Sequence, residues 1–362
     1  MDRETRPLNE FGAGMTTVIE GAMSAMEFAL PPDLEAHEPP EARGLSRDGV
    51  RLLVGSGSSV QHHRFADLPT ILTPGDLLVV NTSATIPAAV RVLGSDLSVH
   101  FSTELPNGRW LVELRKAGGQ ATVPYRSGVP DTRYDLPEGA SVTLTAPYSR
   151  DRLWEATVDP GAFGSMLGYL RALGRPIRYE YVPRDWPIRY YQSVFGTNPG
   201  SAEMPSASRP FTDRIVTTLV SAGVRFAPVM LHTGVASPEA HERPYPERFS
   251  VGEPTAALVN HTRQEGHRVI AVGTTAVRAL ESAVGPDRTV QPTAGWTDLI
   301  VSPDRGVQVV DGLLTGFHEP RASHLDMLAA IAGTSLLSEC YREAIAHRYL
   351  WHEFGDLNLL VP

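Results

Sequence analysis

The residues best suited to bind an anion lie where a short apolar run meets two threonines. Residues 271–273 read as the end of a buried strand, and Thr274 and Thr275 begin a helix. The first turn of a helix has free N–H groups and a partial positive charge, so it can hold a carboxylate or phosphate. Arg278 lies one turn further on and is spaced to pair with Glu281. An ordinary capped helix with a surface ion pair fits the same spacing equally well.

A second set of reactive side chains lies in residues 315–325, directly before an apolar helical segment. His318 could act as a general base there, because the reference pKa of imidazole lies near neutrality. A loop position favours such a role more than a position inside a helix would. A purely structural histidine is the commoner case, and it remains the alternative.

Residues 171–191 combine arginines with aromatic side chains. The arginines are Arg171, Arg175, Arg178, Arg184 and Arg189, and the aromatic residues are Tyr179, Tyr181, Trp186, Tyr190 and Tyr191. Arginine contacts phosphate and aromatic rings stack on unpaired bases, so this stretch is the best candidate for binding nucleic acid. The alternative is a proline-rich connector whose aromatic side chains pack on the core.

Composition excludes several other kinds of site. Cys340 is the only cysteine, so an intrachain disulfide and a cysteine-rich metal site are impossible. The only lysine is Lys116, which leaves none for a Walker A loop. Four windows begin with His-Glu, at 37–41, 241–245, 318–322 and 352–356, and none has a second His at the fifth position. The zinc-protease motif is therefore absent, and we expect no metal.

The chain as a whole has the composition of a globular protein. It has 362 residues and a net charge of −9, from 32 basic and 41 acidic residues, so nucleic acid could bind only at a local patch. Residues 1–25 lack the apolar core of a signal peptide, and no apolar run approaches the roughly 20 residues of a membrane helix. We therefore predict a cytoplasmic protein without a membrane segment, and a monomer.

Two patterns of periodicity divide the chain. From 90 to 158 apolar and polar residues alternate between turns, which indicates a small antiparallel sheet or barrel. Elsewhere helices and strands alternate, which indicates an α/β layer or barrel. The predicted strands are 77–80, 229–231, 267–273, one near 307–311 and one within 356–362. The predicted helices are 212–222, about 255–265, one from 274, and two near 322–332 and 335–349.

Several short motifs, taken in order, resemble those of the S-adenosylmethionine:tRNA ribosyltransferase-isomerase family of queuosine biosynthesis. The resemblance runs from about residue 26 to the C-terminus. The matching segments are 28–31, 74–82, 86–88, 191–194, 231–234, 269–281, 310–320 and 355–356. The family fold is a barrel-like α/β main domain with an inserted small antiparallel β-barrel domain. It agrees with a division into a mobile tail over 1–25, a main domain over 26–89 and 159–362, and an insert over 90–158.

The resemblance implies that the ribosyl part of S-adenosylmethionine is transferred to the aminomethyl group of a 7-deazaguanine in tRNA and isomerised, with release of adenine and methionine. A base near C5′ is needed, because the neighbouring sulfonium acidifies those protons. The candidates for proton transfer are His318, Asp356 and, in second rank, His232. The candidates for binding S-adenosylmethionine are Gly273, Thr274, Thr275, Arg278, Glu281 and Phe317. The candidates for binding tRNA are Arg178, Arg189, Tyr191, Gln192 and Glu247.

The chain departs from the family pattern on the side expected to bind the acceptor. Pro210 stands where the family signature at 204–211 has a histidine, and Gly316 stands where the family has an asparagine before Phe-His. Two alternatives follow. One is an enzyme on the same scaffold that acts on a small molecule or cleaves S-adenosylmethionine without isomerisation. The other is a non-catalytic protein that binds a nucleoside or RNA.

Overall fold

The computed structural model describes residues 27–118, 121–149, 152–235 and 245–362, so the tail predicted over 1–25 lies outside the described residues. The helices in this part of the chain are α1 (Leu68–Ile71), α2 (Met166–Leu173), α3 (Asp213–Ser221), α4 (Glu253–Gln264), α5 (Thr274–Ser282), α6 (His324–Ala332) and α7 (Thr334–Ala346). The strands from β1 to β9 are β1 (Arg51–Ser56), β2 (Ser59–Arg64), β3 (Leu77–Asn81), β4 (Ser83–Thr85), β5 (Ala89–Arg91), β6 (Leu97–Glu104), β7 (Trp110–Gly118), β8 (Ala121–Pro124) and β9 (Arg133–Asp135). The remaining strands are β10 (Ser141–Ser149), β11 (Leu153–Asp159), β12 (Asn198–Ser201), β13 (Arg225–Leu231), β14 (Glu247–Val251), β15 (Val269–Val272), β16 (Thr293–Thr297), β17 (Gly312–Gly316) and β18 (Leu357–Leu360).

A mixed sheet forms the larger part of the molecule. Its strand order is β16-β14-β13-β3-β15-β17-β18-β1-β2. The four central strands β13, β3, β15 and β17 are parallel neighbours. Strand β17 is antiparallel to β18, and β18 is parallel to β1. The α/β class predicted from the alternation of helices and strands is confirmed.

Both faces of this sheet are buried. Leu77 and Val79 of β3 pack in a core with residues of α4 to α7, whereas Leu78 and Val80 pack in a second core with residues of α1 and α3. Successive side chains of a strand point to opposite faces. Helices on both faces therefore explain why β3 and β15 read as continuous apolar runs rather than as alternating ones.

The second sheet is antiparallel and lies between β4 and α2 in the chain. Its order is β5-β6-β7-β11-β10-β9, with β8 paired to β7. It has its own core, which includes Phe101, Trp110 and Leu144. The Leu93 N–H, just after β5, donates to the Asp135 carbonyl in β9 at 2.9 Å. This bond joins the two ends of the strand order.

Most predicted elements are found within two or three residues of their predicted positions. The helices predicted at 212–222 and about 255–265 are α3 and α4. The strand predicted near 307–311 is wrong, because β17 begins only at Gly312. The N–H groups of Gln308 and Val309 donate to the Glu281 carboxylate at 2.8 and 3.0 Å, so they are not available to a sheet. None of the helices in the described residues is long and apolar enough to cross a membrane.

Candidate functional site

The carboxyl ends of the parallel strands bring several predicted site residues together. Strand β13 leads into His232, β15 into Gly273 and β17 into Phe317 and His318, while β3 ends at Asn81. Ligands of open α/β sheets bind outside the carboxyl ends of the strands. The residues at this edge are therefore the candidate site.

Asn81 joins the strand ends at this edge through hydrogen bonds of its side chain. Its Nδ2 donates to the Leu231 carbonyl at 2.9 Å and to Thr275 Oγ1 at 3.1 Å. Its Oδ1 accepts from the N–H groups of Leu231 and Ser83, each at 3.0 Å. One buried amide thus fixes the ends of β3 and β13 against the first turn of α5. Sequence reasoning missed Asn81 as a site residue, although its position directly after an apolar run was a signal.

The first turn of α5 is reached through a backbone conformation that favours glycine. Gly273 has φ 88° and ψ 154°, and its N–H donates to the Leu314 carbonyl of β17 at 2.8 Å. The N-cap residue, Gly273, has no side chain that could cap this helix. A Cβ on Gly273 would lie 3.5 Å from the Ala207 Cβ, so the turn at 206–208 passes over the tip of α5. The same turn reaches Gly316, where a Cβ would lie 3.7 Å from Ser206 Oγ.

Arg278 lies one turn into α5 and is 7% exposed. Its Nη1 donates to the Glu247 carboxylate, and its Nη2 and Nε donate to the carbonyls of Thr297 and Leu299, each at 3.2 Å. Glu247 also accepts the Gly234 N–H at 3.2 Å. Burial raises the pKa of the Glu247 carboxyl, and the guanidinium opposes that rise. The pair therefore binds α5 to β14, β16 and the residues after β13.

Glu281 lies near the opposite end of α5. Besides the two N–H groups of Gln308 and Val309, its carboxylate accepts Arg305 Nη1 at 3.1 Å. The side chain is therefore engaged with the segment before β17, about two turns from the tip of the helix.

His318 has a fixed backbone and a partly free ring. Its N–H donates to the Tyr341 hydroxyl at 3.1 Å, and its carbonyl accepts Trp351 Nε1 at 3.0 Å. The ring Nε2 lies 3.0 Å from Thr315 Oγ1, and the ring stacks on that of His324 with centroids 4.7 Å apart. Within the described residues, no hydrogen bond to Nδ1 is made.

Electrostatics keep the His318 ring neutral. Burial, together with the neighbouring His324 and His352 rings, holds the pKa of His318 well below its ordinary value of 6.5. A neutral imidazole has one nitrogen lone pair to accept a proton. The group is therefore in the basic form at neutral pH.

Phe317 packs beneath the loop that carries His318. Its ring is 2% exposed and contacts the rings of Tyr341, Tyr349 and Trp351 at centroid distances of 5.6, 5.7 and 4.8 Å. The aromatic cluster supports the loop from the core side.

A group of polar residues beside His318 was not predicted. The His352 ring stacks on Tyr181 with centroids 4.0 Å apart, and its Nε2 lies 3.9 Å from a carboxylate oxygen of both Glu35 and Glu319. Burial lowers the pKa of His352 to about 4 and raises the pKa of Glu353 to about 7. These residues are far apart in sequence, so no local spacing connected them.

His232 lies at the end of β13. Its Nδ1 is 2.7 Å from Ser83 Oγ, which is 2.5 Å from Ser201 Oγ. The ring lies against Gly200, where a Cβ would be 2.5 Å from it. Burial, with Arg248 nearby, lowers the pKa of His232 to about 4. Its contacts join β4 to β12 and β13.

Asp356 is engaged on both carboxylate oxygens. Oδ1 accepts the Arg51 N–H at 2.8 Å, and Oδ2 accepts the Leu350 N–H at 2.8 Å and Arg51 Nη2 at 2.8 Å. It joins β1 to the segment between α7 and β18.

The arginine and aromatic stretch divides into two parts. Arg178 lines a cavity of about 330 Å³ between the second sheet and the connector, beside Arg175. Arg189 lies over the Tyr190 ring, with its guanidinium carbon 4.8 Å from the centroid. Tyr191 is only 2% exposed, and Gln192 exchanges two hydrogen bonds with the backbone of Thr85 at 2.8 and 3.1 Å. The arginines therefore line the surface while Tyr191 and Gln192 hold the connector.

These features define an α/β protein with polar side chains gathered at the carboxyl ends of its parallel strands, an arrangement typical of enzymes that bind small molecules. The model of the queuosine biosynthesis protein family matches residues 23–360. The chain belongs to that family.

Named relatives match almost the whole chain. This chain is 33% identical over 358 residues to an S-adenosylmethionine:tRNA ribosyltransferase-isomerase of Acidiphilium cryptum, and the match covers 93% of this chain and 99% of the relative. It is 32% identical over 354 residues to the enzyme of the same name from Symbiobacterium thermophilum, covering 94% and 99%. The solved S-adenosylmethionine tRNA ribosyltransferase from Thermotoga maritima is 30% identical, covers 92% of this chain and 98% of its own, and superposes with a TM-score of 0.51.

Proposed function

We propose that the protein is an S-adenosylmethionine:tRNA ribosyltransferase-isomerase of queuosine biosynthesis. Its relatives of that name match over nearly their full lengths. The proposal depends most on one hydrogen bond between two neighbouring strands. The Gly273 N–H donates to the Leu314 carbonyl, so the tip of α5 and the strand that leads into His318 are neighbours at one edge of the sheet. An anion-binding helix terminus and a neutral histidine there suit a substrate with a carboxylate and an acidic C–H bond.

S-adenosylmethionine is the ribosyl donor in this proposal. The N–H groups of Thr274 and Thr275 would bind its methionine carboxylate, because the helix tip has a partial positive charge and no side-chain cap. Gly273 supplies the backbone conformation, φ 88° and ψ 154°, that leads into this turn. Arg278 acts as a positioning residue, since its guanidinium holds α5 through Glu247.

His318 is the group that we assign to the proton at C5′. With Nε2–H donating to Thr315 Oγ1, the Nδ1 lone pair would be left to accept the proton. Asp356 and His232 hold neighbouring segments through the contacts described above, so they act through the shape of the site. The acceptor amine then loses a proton as it bonds to a ribosyl carbon, and new bonds within the ribosyl group, formed as it becomes an epoxycyclopentanediol, replace its bonds to adenine and to the methionine sulfur. Adenine leaves with the proton that His318 took from C5′, and methionine leaves as the neutral thioether.

The acceptor is a tRNA carrying an aminomethyl-7-deazaguanine. The surface arginines beside the 330 Å³ cavity, Arg175 and Arg178, are suited to its phosphates. We also propose that 90–158 is an inserted domain whose strands close into a small barrel. Support comes from its core, which also includes residues of α2 but none of the larger sheet, and from the bond between Leu93 and Asp135. We also propose that the protein is a monomer and that it acts in the cytoplasm.

Mass spectrometry of the products tests the function. The protein is incubated with S-adenosylmethionine and tRNA that carries the deazaguanine, the same tRNA without it, or the free deazaguanine base. Release of adenine and methionine with a matching mass gain only on modified tRNA supports the proposal. Release with the free base but not with tRNA identifies a small-molecule enzyme. Binding without release identifies a non-catalytic protein. Either of these last two results overturns the proposed function.

A further inference from the structure

Three side chains that could bind a metal ion meet at the far edge of the larger sheet. His62 lies on the edge strand β2, and Glu343 and His347 lie one turn apart at the end of α7. Glu343 Oε2 is 3.5 Å from His62 Nε2 and 3.0 Å from His347 Nδ1. The two imidazole rings have centroids 4.3 Å apart. Two nitrogen atoms and one oxygen atom therefore lie within 4.8 Å of one another. His347 Nδ1 is also 3.1 Å from the Glu343 carbonyl oxygen, a contact that metal binding would replace.

The spacing of these atoms fits a first-row transition metal. Bonds of about 2.0–2.1 Å to nitrogen and oxygen place neighbouring ligands of a tetrahedral zinc ion roughly 3.3 Å apart. The two distances measured from Glu343 Oε2 lie on either side of that value, and the three ligand atoms all lie within 4.8 Å of one another. Small side-chain rotations are enough to complete the geometry.

Neighbouring groups already orient the ligands. His62 Nδ1 lies 3.0 Å from the Tyr349 hydroxyl, so a proton on Nδ1 leaves the Nε2 lone pair facing Glu343. Arg342 Nη2 donates to Glu343 Oε1 at 2.6 Å, so the other carboxylate oxygen faces the histidines. Hydrogen bonds of this kind to the outer atoms of metal ligands fix their orientation and their tautomer.

The cavity beside these residues is not built for an anion. It has a volume of about 450 Å³ and includes Arg51 and Arg64 in its lining. Arg51 donates to the carbonyls of His347 and Arg348 and to Asp356, so its guanidinium is used inside the protein. Arg64 Nη1 donates to the Gly49 carbonyl at 3.2 Å. Arg51 therefore holds the end of α7, and Arg64 holds the segment before β1.

We propose that His62 Nε2, Glu343 Oε2 and His347 Nδ1 bind one divalent transition-metal ion, with zinc the best fit and the fourth position open to water from the cavity. Two imidazoles and one carboxylate suit zinc, cobalt or nickel, and are poor ligands for magnesium or calcium. The ion would fasten the end of α7 to β2. The sequence did not predict it, because the Glu-x-x-x-His spacing supplies only two ligands and the third lies on a distant strand.

Metal titration of the tag-free, full-length protein tests this site. After removal of metal with a chelator, Zn²⁺ is added in a calorimeter and Co²⁺ is followed by its visible absorption. We expect one equivalent of Zn²⁺ and a tetrahedral Co²⁺ spectrum. His62→Ala and His347→Ala should each weaken Zn²⁺ binding by about 100-fold or more, and Tyr349→Phe by about tenfold, within the range for outer-shell partners. Circular dichroism melts show whether each variant is folded.

His261→Ala is the matched control. His261 and Glu265 also lie one turn apart on a helix, with the nitrogen and oxygen 3.3 Å apart, but they belong to no group of three ligands among the described residues. This variant should keep the affinity of the parent protein. The proposal is overturned if the protein binds no stoichiometric Zn²⁺, or if folded His62→Ala binds it unchanged. It is also overturned if His62→Ala loses binding of inorganic phosphate while Zn²⁺ binding is retained.

Discussion

His318 combines a fixed backbone with a ring that stays neutral. Because the pKa of His318 lies well below 6.5, the ring keeps its basic form as the pH falls through that value. The acidic limb of the pH profile of kcat should therefore lie below pH 6.5. His318→Ala should lower kcat by about 10²- to 10⁴-fold, the usual contribution of a general base. Adenine release, measured between pH 4.5 and 8.5, checks both expectations.

His261→Ala serves as the control for this profile, because His261 is an exposed histidine on α4. It should leave kcat and the acidic limb unchanged. Thr315→Val tests the orientation of the His318 ring, since it removes the hydroxyl beside Nε2. A variant without His318 that keeps both its rate and its acidic limb would show that another group takes the proton.

The residue types at this edge of the sheet were predictable from the sequence, but the ion pairs that they form were not. The sequence predicted that Arg278 could pair with Glu281, three residues on. The structure instead pairs Arg278 with Glu247 and Arg305 with Glu281. Helical spacing makes a pair possible, whereas the buried carbonyls of Thr297 and Leu299 fix the direction of the Arg278 guanidinium. Such long-range partners leave no local pattern in the sequence.

At the scale of elements, strands in the centre of the sheet were the most predictable. Strand β3 is apolar along nearly its whole length and ends at Asn81, as expected of a strand buried on both faces. The segment 307–311 is also apolar in part, but the Glu281 carboxylate takes its N–H groups. Apolar composition alone does not distinguish a strand from a buried loop whose backbone is bonded to a side chain.

The turn into α5 requires glycine at one position. Gly273 has φ 88° and ψ 154°, a region that other residues occupy at a cost of about 1–3 kcal/mol. A Cβ there would meet only ordinary contacts, at 3.5 and 3.7 Å. Gly273→Ala should therefore lower the free energy of unfolding by about that amount and weaken binding of S-adenosylmethionine. Urea denaturation and calorimetry measure the two effects.

Gly252→Ala is a close control, because Gly252 also precedes a helix, α4, but has φ −77° and ψ 161°. Both substitutions lose the small preference for glycine over alanine before a helix. The difference between the two losses of stability therefore measures the effect of the backbone conformation at Gly273. Equal losses of stability in the two variants would contradict the explanation given for Gly273.

At the scale of the whole molecule, the proposed binding of tRNA has to overcome the negative net charge of the protein. The net charge of −9 opposes the approach of tRNA. The cavity between the second sheet and the connector gathers Arg91, Arg175 and Arg178 against one acid, Asp185. These side chains form a local positive patch, as the proposed binding of tRNA requires.

Binding of tRNA should therefore depend on salt through a few contacts. If Arg175 and Arg178 each contact a phosphate, Arg175→Ala and Arg178→Ala should each reduce the slope of log K against log salt by about 1. Arg109→Ala is the control, because Arg109 is another exposed arginine in an ion pair, with Glu155 at 3.1 Å. Filter binding at several salt concentrations gives the slopes. An equal effect of all three substitutions would indicate a diffuse field rather than a patch, since only local contacts release counterions at particular side chains.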